Sequence, residues 1–265
     1  MDKLVDYLGP SATNGPYARL LLNSPHNRNA LSTALVGQLH QGLRDAAADQ
    51  DVRAVVLGHT GGTFCAGADL SEAGGSGPPP SAYDAAAARA REMAALMRAI
   101  VSSPLPVIGA IDGHVRAGGF GLVGACDIVV AGPRSTFALT EARIGVAPAI
   151  ISLTLLPKLS ARAAARYYLT GATFDAHTAA EIGLITMAAD DVDAAVGEIV
   201  ADVGRGSPQG LAASKALTTA AVLEGFDRDT ERLAQESARL FVSEEAREGM
   251  LSFLQKRPPS WARSK

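Results

Sequence analysis

Cysteine, charge of one sign and long apolar runs are all scarce in this chain, and each scarcity excludes something. Two cysteines, Cys65 and Cys126, among 265 residues make no disulfide framework and read as reduced, buried thiols. Lys and Arg number 24 against 27 Asp and Glu, a net charge of −3 with no basic block, which excludes a dedicated binder of nucleic-acid phosphates. The longest apolar runs, at 107–111 and 128–131, fall far short of the roughly 20 residues of a membrane-spanning helix. The first 25 residues carry neither a basic segment followed by an apolar one nor an Arg-rich amphipathic start. A cytoplasmic protein with no membrane partner is therefore expected. No His, Cys, Asp and Glu cluster has metal-ligand spacing, and no Ser-His-Asp set stands out.

What is present is a chain long enough, and with 48% hydrophobic residues apolar enough, to bury a sizeable core without a staple. Strand-like runs at 18–22, 52–58, 106–111, 127–131 and 136–139 alternate with helical patterns, one capped by Ser32 and one Ala-rich over 83–102. From residue 149 helix dominates, with one strand candidate at 184–188, and the stretch 208–256 is helical with few breakers. The pattern predicts an α/β core over 1–206 and a helical appendage over 207–265. The breaker cluster GGSGPPPS at 74–81 divides no change of composition and reads as a loop within one domain. No internal repeat recurs at a fixed period.

Gly119, Gly121 and Gly124 match the dinucleotide pattern G-x-G-x-x-G, with Glu141 further on as the acidic residue. The spacing defeats the match. The preceding strand ends near Ile111, and the next begins near Asp127, which leaves no room for a crossover helix of roughly ten residues. The glycines have another use. Two Gly-rich segments, FCAGADL at 64–70 and DGHVRAGG at 112–119, each follow a strand and can present free backbone N–H groups to one oxygen.

FCAGADL, the downstream IDGHVRAGGFGLVGACDI and then FALTEARIGVAPA resemble the enoyl-CoA hydratase/isomerase (crotonase) superfamily. Asn27-Arg28-Asn29-Ala30-Leu31, TFDAHTAAEIGLI at 173–185 and EGMLSFLQKR at 248–257 extend the resemblance over most of the chain. It implies a crotonase-like α/β spiral of β-β-α units, followed by a helical trimerisation region in a homotrimer or homohexamer. It implies an acyl-CoA thioester as substrate, so that CoA arrives with the substrate and no separate cofactor is needed. The enolate would be stabilised by two peptide N–H groups, which the motifs place at Ala66 and Gly118. CoA-side candidates are Arg28, Ala30, Ala66, Ala68, Asp69 and Leu70. Phe253 and Lys256 match a C-terminal helix that reaches a neighbouring subunit's CoA in relatives, with a solvated charge as the other reading of Lys256.

Hydratases of this family usually carry two glutamates. The second is present as Glu141, but the first position holds Gly121, in a register anchored by Cys126-Asp127-Ile128. Hydration needs a base for water and a proton for the α-carbon, and two carboxylates hold that water. A single Glu141 suits a Δ3,Δ2-enoyl-CoA isomerase and is incomplete for an ordinary hydratase. Yet the run 140–152 resembles a hydratase branch that includes methylglutaconyl-CoA hydratases and commonly has glycine at the first site. Space at Gly121 would then take a branched or carboxylated acyl group, paired with Arg116 or Arg143, which otherwise serve structure. His114 is either a base or a turn residue, and Glu72 either a second acid or exposed. The reading is an enoyl-CoA hydratase-type lyase, with an isomerase and a non-catalytic acyl-CoA binder as alternatives.

Overall fold

The structure is a computed structural model that describes residues 2–69 and 81–262. Strand β1 (Val5–Leu8) and helix α1 (Pro10–Thr13) precede β2 (Tyr17–Leu22), and α2 (Thr33–Ala48) leads to β3 (Ala54–His59) and β4 (Thr63–Cys65). Helix α3 (Ala82–Val101) is followed by β5 (Val107–Ile111), β6 (His114–Arg116), α4 (Gly118–Ala125), β7 (Ile128–Ala131) and β8 (Thr136–Ala138). Then come α5 (Ser152–Leu155), α6 (Ala161–Thr170), β9 (Phe174–Asp175), α7 (Ala176–Glu181), β10 (Met187–Ala188) and α8 (Val192–Val203). Two long-range helices close the chain, α9 (Pro208–Phe241) and α10 (Glu244–Leu254).

The strands form two sheets, in the orders β1-β2-β3-β5-β7-β10 and β4-β6-β8-β9. β3, β5 and β7 run parallel in the first sheet, while their followers β4, β6 and β8 run parallel in the second. The chain therefore winds as a spiral, one long strand and one short strand per turn. This is a repeat in space that the sequence hides, because its turns begin at Ala54, Val107 and Ile128 and have unequal lengths.

β3 and β5 read as unbroken apolar runs because both faces are covered. Side chains alternate: Val55, Leu57, Val107 and Ile111 enter the main core with Leu35, Leu39 and Leu96. Ala54, Val56, Ile108 and Ala110 pack beneath Val196 and Val200 of α8. Ser32 caps α2 as its sequence position suggests, its Oγ accepting from the Leu35 N–H at 3.2 Å. The expected strand at 184–188 shrinks to Met187–Ala188, since the Leu184 and Ile185 N–H groups turn back to the Ala179 carbonyl. β1, β4, β6 and β9 are too short, or too weakly alternating, to stand out in the sequence. No helix among the described residues is long and apolar enough to cross a membrane.

The C-terminal helices pack on the core of their own chain. Arg91 and Arg98 of α3 pair with Glu231 and Asp227 of α9 at the surface. Deeper, the buried Lys215 Nζ donates to the Ile100 and Leu105 carbonyls at 2.9 and 3.0 Å and lies 2.7 Å from Asp127 Oδ2. Burial lowers the Lys215 pKa, and the Asp127 charge opposes that shift. Asp127 also accepts from the Val107 N–H, so one carboxylate ties α9 to the start of β5. Lys215→Ala leaves that carboxylate buried and uncompensated, and is expected to cost about 3–5 kcal/mol in urea unfolding.

Candidate active site

The first glycine segment is held by the turn before it. Asn29 is fully buried with a left-handed φ of 54°. Its Oδ1 accepts from the Ser24 N–H at 2.7 Å, and its Nδ2 donates to the Thr60 and Thr63 carbonyls at 3.1 and 2.8 Å. So locked, the turn offers a short edge to residues 66–69. The Ala66 N–H donates to the Arg28 carbonyl at 3.1 Å, the Leu31 N–H to Gly67 at 2.7 Å, and the Asp69 N–H to Leu31 at 3.1 Å. The Gly67 N–H points to Cys65 Sγ at 3.3 Å. The Ala68 N–H is left without a partner among the described residues.

The second segment ends in Ala117, whose backbone (φ 44°, ψ −121°) lies in a region that side chains other than glycine rarely occupy. That conformation opens α4 at Gly118, and the Gly118 N–H, as a first-turn donor, is likewise unpaired among the described residues. The two turns touch. A Cβ on Gly67 would lie 2.7 Å from Ala117 Cβ and 3.2 Å from the Gly118 nitrogen, and Gly67 has φ +98°. Ala68 and Gly118 line the same cavity, of about 220 Å³. The geometry thus corrects one expectation. Ala66 does not line that cavity and its N–H is spent on Arg28, so the donor of the first turn is displaced two residues, to Ala68.

Glu141 lines the cavity with them. It opens a short 3-10 turn over Glu141–Ile144, and its Oε2 is buried with no hydrogen-bond partner among the described residues. Burial pushes its pKa up from 4.5 to about 7, partly offset by its own backbone N–H. The surroundings explain the shift: Leu31, Met93, Ile150, Ile151 and Phe241 supply apolar walls. Tyr168, also raised by burial to about 12, donates or accepts with Ser152 at 3.1 Å and feels the Glu141 charge.

Gly121 is not the open space that the sequence suggested. A Cβ there would meet Met97 Sδ at 2.6 Å and Ile151 Cγ2 and Met93 Cε at 2.8 Å each. Apolar side chains occupy the room that a first glutamate, or a branched acyl group, would need. Gly121→Glu is therefore expected to lower stability by about 1–3 kcal/mol in thermal unfolding, with no gain in hydration rate.

The other candidates sort clearly. Arg116 donates to the Val115 and Thr136 carbonyls at 2.7 Å each, and Arg143 donates twice to the Thr170 carbonyl at 3.0 and 2.7 Å. Both serve the backbone, and neither lines the cavity. His114 is exposed at the start of β6 rather than in a turn, pairs with Thr136 Oγ1 at 2.8 Å and does not line the cavity. Asp69 lines the cavity and accepts from Asn27 Nδ2 at 3.1 Å. Ala30 is buried and Arg28 exposed, Phe253 is exposed on α10, and Lys256 is exposed just past the end of that helix with a left-handed φ of 52°; none of the four lines the cavity. Leu70 and Glu72 lie outside the described residues. Sequence reasoning missed Arg89, Glu92 and Met93 of α3 and Ser237 and Phe241 of α9, all of which line the cavity. The helical spacing of 86, 89, 90 and 93 was the available signal for the α3 wall. No group of three or more metal-ligating side chains occurs among the described residues.

Residues 13–264 match the family model described as enoyl-CoA hydratase/isomerase. The chain belongs to that family. A putative enoyl-CoA hydratase of Thermus thermophilus is 32% identical over 92% of this chain and 97% of its own length. A probable enoyl-CoA hydratase of Mycobacterium tuberculosis is 34% identical over 82% and 84%. Among solved structures, a putative enoyl-CoA hydratase from Mycobacterium avium paratuberculosis shares 80% identity, with a TM-score of 0.94 over 98% of this chain and 100% of that one. The spiral described above is the crotonase fold, and the protein is an enzyme of hydratase/isomerase type.

Proposed function

We propose that the protein hydrates 2-enoyl-CoA thioesters, with Ala68 and Gly118 as the oxyanion donors and Glu141 as the single general acid/base. The observation that carries this reading is the convergence of two unpaired N–H groups and one unpartnered carboxyl oxygen in one apolar cavity. Ionised Glu141 takes a proton from water as the water oxygen bonds to C3. The C2–C3 π electrons move toward the thioester, and the carbonyl oxygen, now an enolate, is held by the two N–H groups. Neutral Glu141 then returns its proton to C2, and addition occurs on one face. A group with a pKa near pH 7 is suited to both transfers.

A second reading, a Δ3,Δ2-enoyl-CoA isomerase, draws on the apolar filling around Gly121, which leaves no second carboxylate there to hold water. Glu141 would then move one proton from C2 to C4. A branched or carboxylated acyl group of the methylglutaconyl type belongs to the hydratase reading. The cavity that would hold it counts Arg89 and Ser237 in its lining and does not include Gly121. A relative in Aspergillus fumigatus, 30% identical over 93% of this chain, is named a mevalonyl-coenzyme A hydratase, which suits such a branched acyl group. Assembly as a trimer or a dimer of trimers is part of the same proposal, supported by exposed Leu251, Phe253, Leu254 and Trp261 near the C-terminus.

The test is turnover of 2-enoyl-CoA and 3-enoyl-CoA panels in oxygen-18 water. Loss of the conjugated thioester absorbance with label in a 3-hydroxyacyl product supports hydration. Conversion of 3-enoyl to 2-enoyl without label supports isomerisation. Tight acyl-CoA binding with no exchange of α-protons in deuterated water defeats both and leaves a binding protein.

A further inference from the structure

The turn that carries Glu141 is clasped by a helix from the far end of the chain. Gly249 of α10 packs directly on the turn: a Cβ there would lie 2.4 Å from the Ile144 carbonyl carbon and oxygen. The contact is reciprocal. Gly145 ends the turn with a left-handed φ of +78°, and a Cβ on it would lie 2.5 Å from the Glu245 carbonyl carbon and 2.7 Å from the Ala246 nitrogen. Backbone meets backbone with no side chain between to absorb a shift.

Two further features make the clasp rigid. Ala246, Gly249 and Ser252 are the buried residues of α10, spaced to share one helical face, and Ser252 Oγ donates to the Gly249 carbonyl at 2.8 Å. The flank of that face is braced where Glu248 accepts from Arg257 Nη1 and Nη2, at 2.7 and 2.8 Å, and from the Ser260 N–H at 2.9 Å. Across the turn, Arg143 fastens to Thr170. The turn itself closes by its own bonds, the Gly145 and Val146 N–H groups both donating to the Glu141 carbonyl.

We propose that α10, through Gly249, is a positioning element for the catalytic carboxyl: it sets where Glu141 sits relative to Ala68 and Gly118. Gly249 touches no reacting atom and acts through the turn. The inference rests on Glu141 being the acid/base, and the experiment separates the two. A methyl group on Gly249 forces the turn or the helix to move by about 1 Å, and displacement on that scale costs on the order of 10²-fold in rate.

Gly249→Ala is therefore expected to lower kcat about 100-fold with KM changed less than about threefold. The pH limb of Glu141 should shift down toward the ordinary carboxylate range as water reaches the loosened turn. The groups around that carboxyl are Asp69, Arg89 and Glu92 across the cavity, Tyr168 beside it, Arg143 on the turn, and Glu244, Glu245, Arg247 and Glu248 on α10. Gly249→Ala alters none of these charges. Should that variant fail to fold, Glu248→Gln combined with Arg257→Gln removes the brace at constant net charge and should move kcat and the pH limb in the same directions, about tenfold in kcat. Arg247→Lys, at an exposed position of α10 and with the charge kept, should leave both unchanged. A folded Gly249→Ala protein with unaltered kcat, or with lowered kcat but an unmoved pH limb, overturns the proposal; so does a folded brace variant with neither change. Full activity in Glu141→Ala would instead overturn the underlying assignment.

Discussion

Glu141→Gln is expected to reduce kcat for 2-enoyl-CoA by about 10²–10⁴-fold while leaving acyl-CoA binding nearly intact. The amide keeps the size of the side chain and loses the proton transfer. In the unaltered protein, hydration should rise with pH through about 7, because the base form of Glu141 exists only above its raised pKa. The variant should lose that limb. Stability carries the same signature with a defined sign. The folded state holds this proton more tightly than the unfolded chain does. Its contribution is therefore full below about pH 4.5 and is lost as the pH rises through about 7. The loss amounts to about 3 kcal/mol, and Glu141→Gln should abolish it when urea unfolding is compared at pH 5 and pH 8. Equal pH slopes in both proteins would remove burial as the cause of the shift.

Gly67→Ala should be nearly as damaging, by a different route. Its φ of +98° is strained for any other residue, and the added methyl would stand 2.7 Å from Ala117 Cβ and 3.2 Å from the Gly118 nitrogen. Relief requires the two oxyanion turns to part. Removing one well-aimed donor costs about 10²–10³-fold in kcat, and separating the pair should reach that range. The α-proton exchange of a bound saturated acyl-CoA in deuterated water isolates this step from water addition. Exchange at the unaltered rate in a folded Gly67→Ala protein would show that the turns do not act together.

Local chemistry made much of the chain readable in advance. β3 and β5 stood out as apolar runs because a strand covered on both faces has no polar positions to interrupt it. α2 stood out through its Ser32 cap and α3 through its Ala-rich run, whereas the Ser81 cap of α3 lay hidden at the end of a breaker cluster. β4 and β6, three residues each, carry the oxyanion turns yet have too little sequence to show a period. Their partners are supplied only by the spiral, which lays β4, β6 and β8 side by side.

The candidate site divides along the same line. The sequence by itself determined the family, the two glycine turns, the retained Glu141 and the missing carboxylate at Gly121, since residue identity at a fixed offset is local information. Only the tertiary structure decided which N–H is free. Ala66 and Ala68 differ by two places in one motif, and the Arg28 carbonyl, brought by a separate turn, takes the Ala66 donor and leaves that of Ala68. Only the tertiary structure filled the space at Gly121, with Met93 and Met97 from one helix and Ile151 from the chain after β8. It also placed α10 against the Glu141 turn across about a hundred residues of chain. Hydrogen-bond partners and packing neighbours come from segments distant in sequence, so no reading of a motif alone contains them.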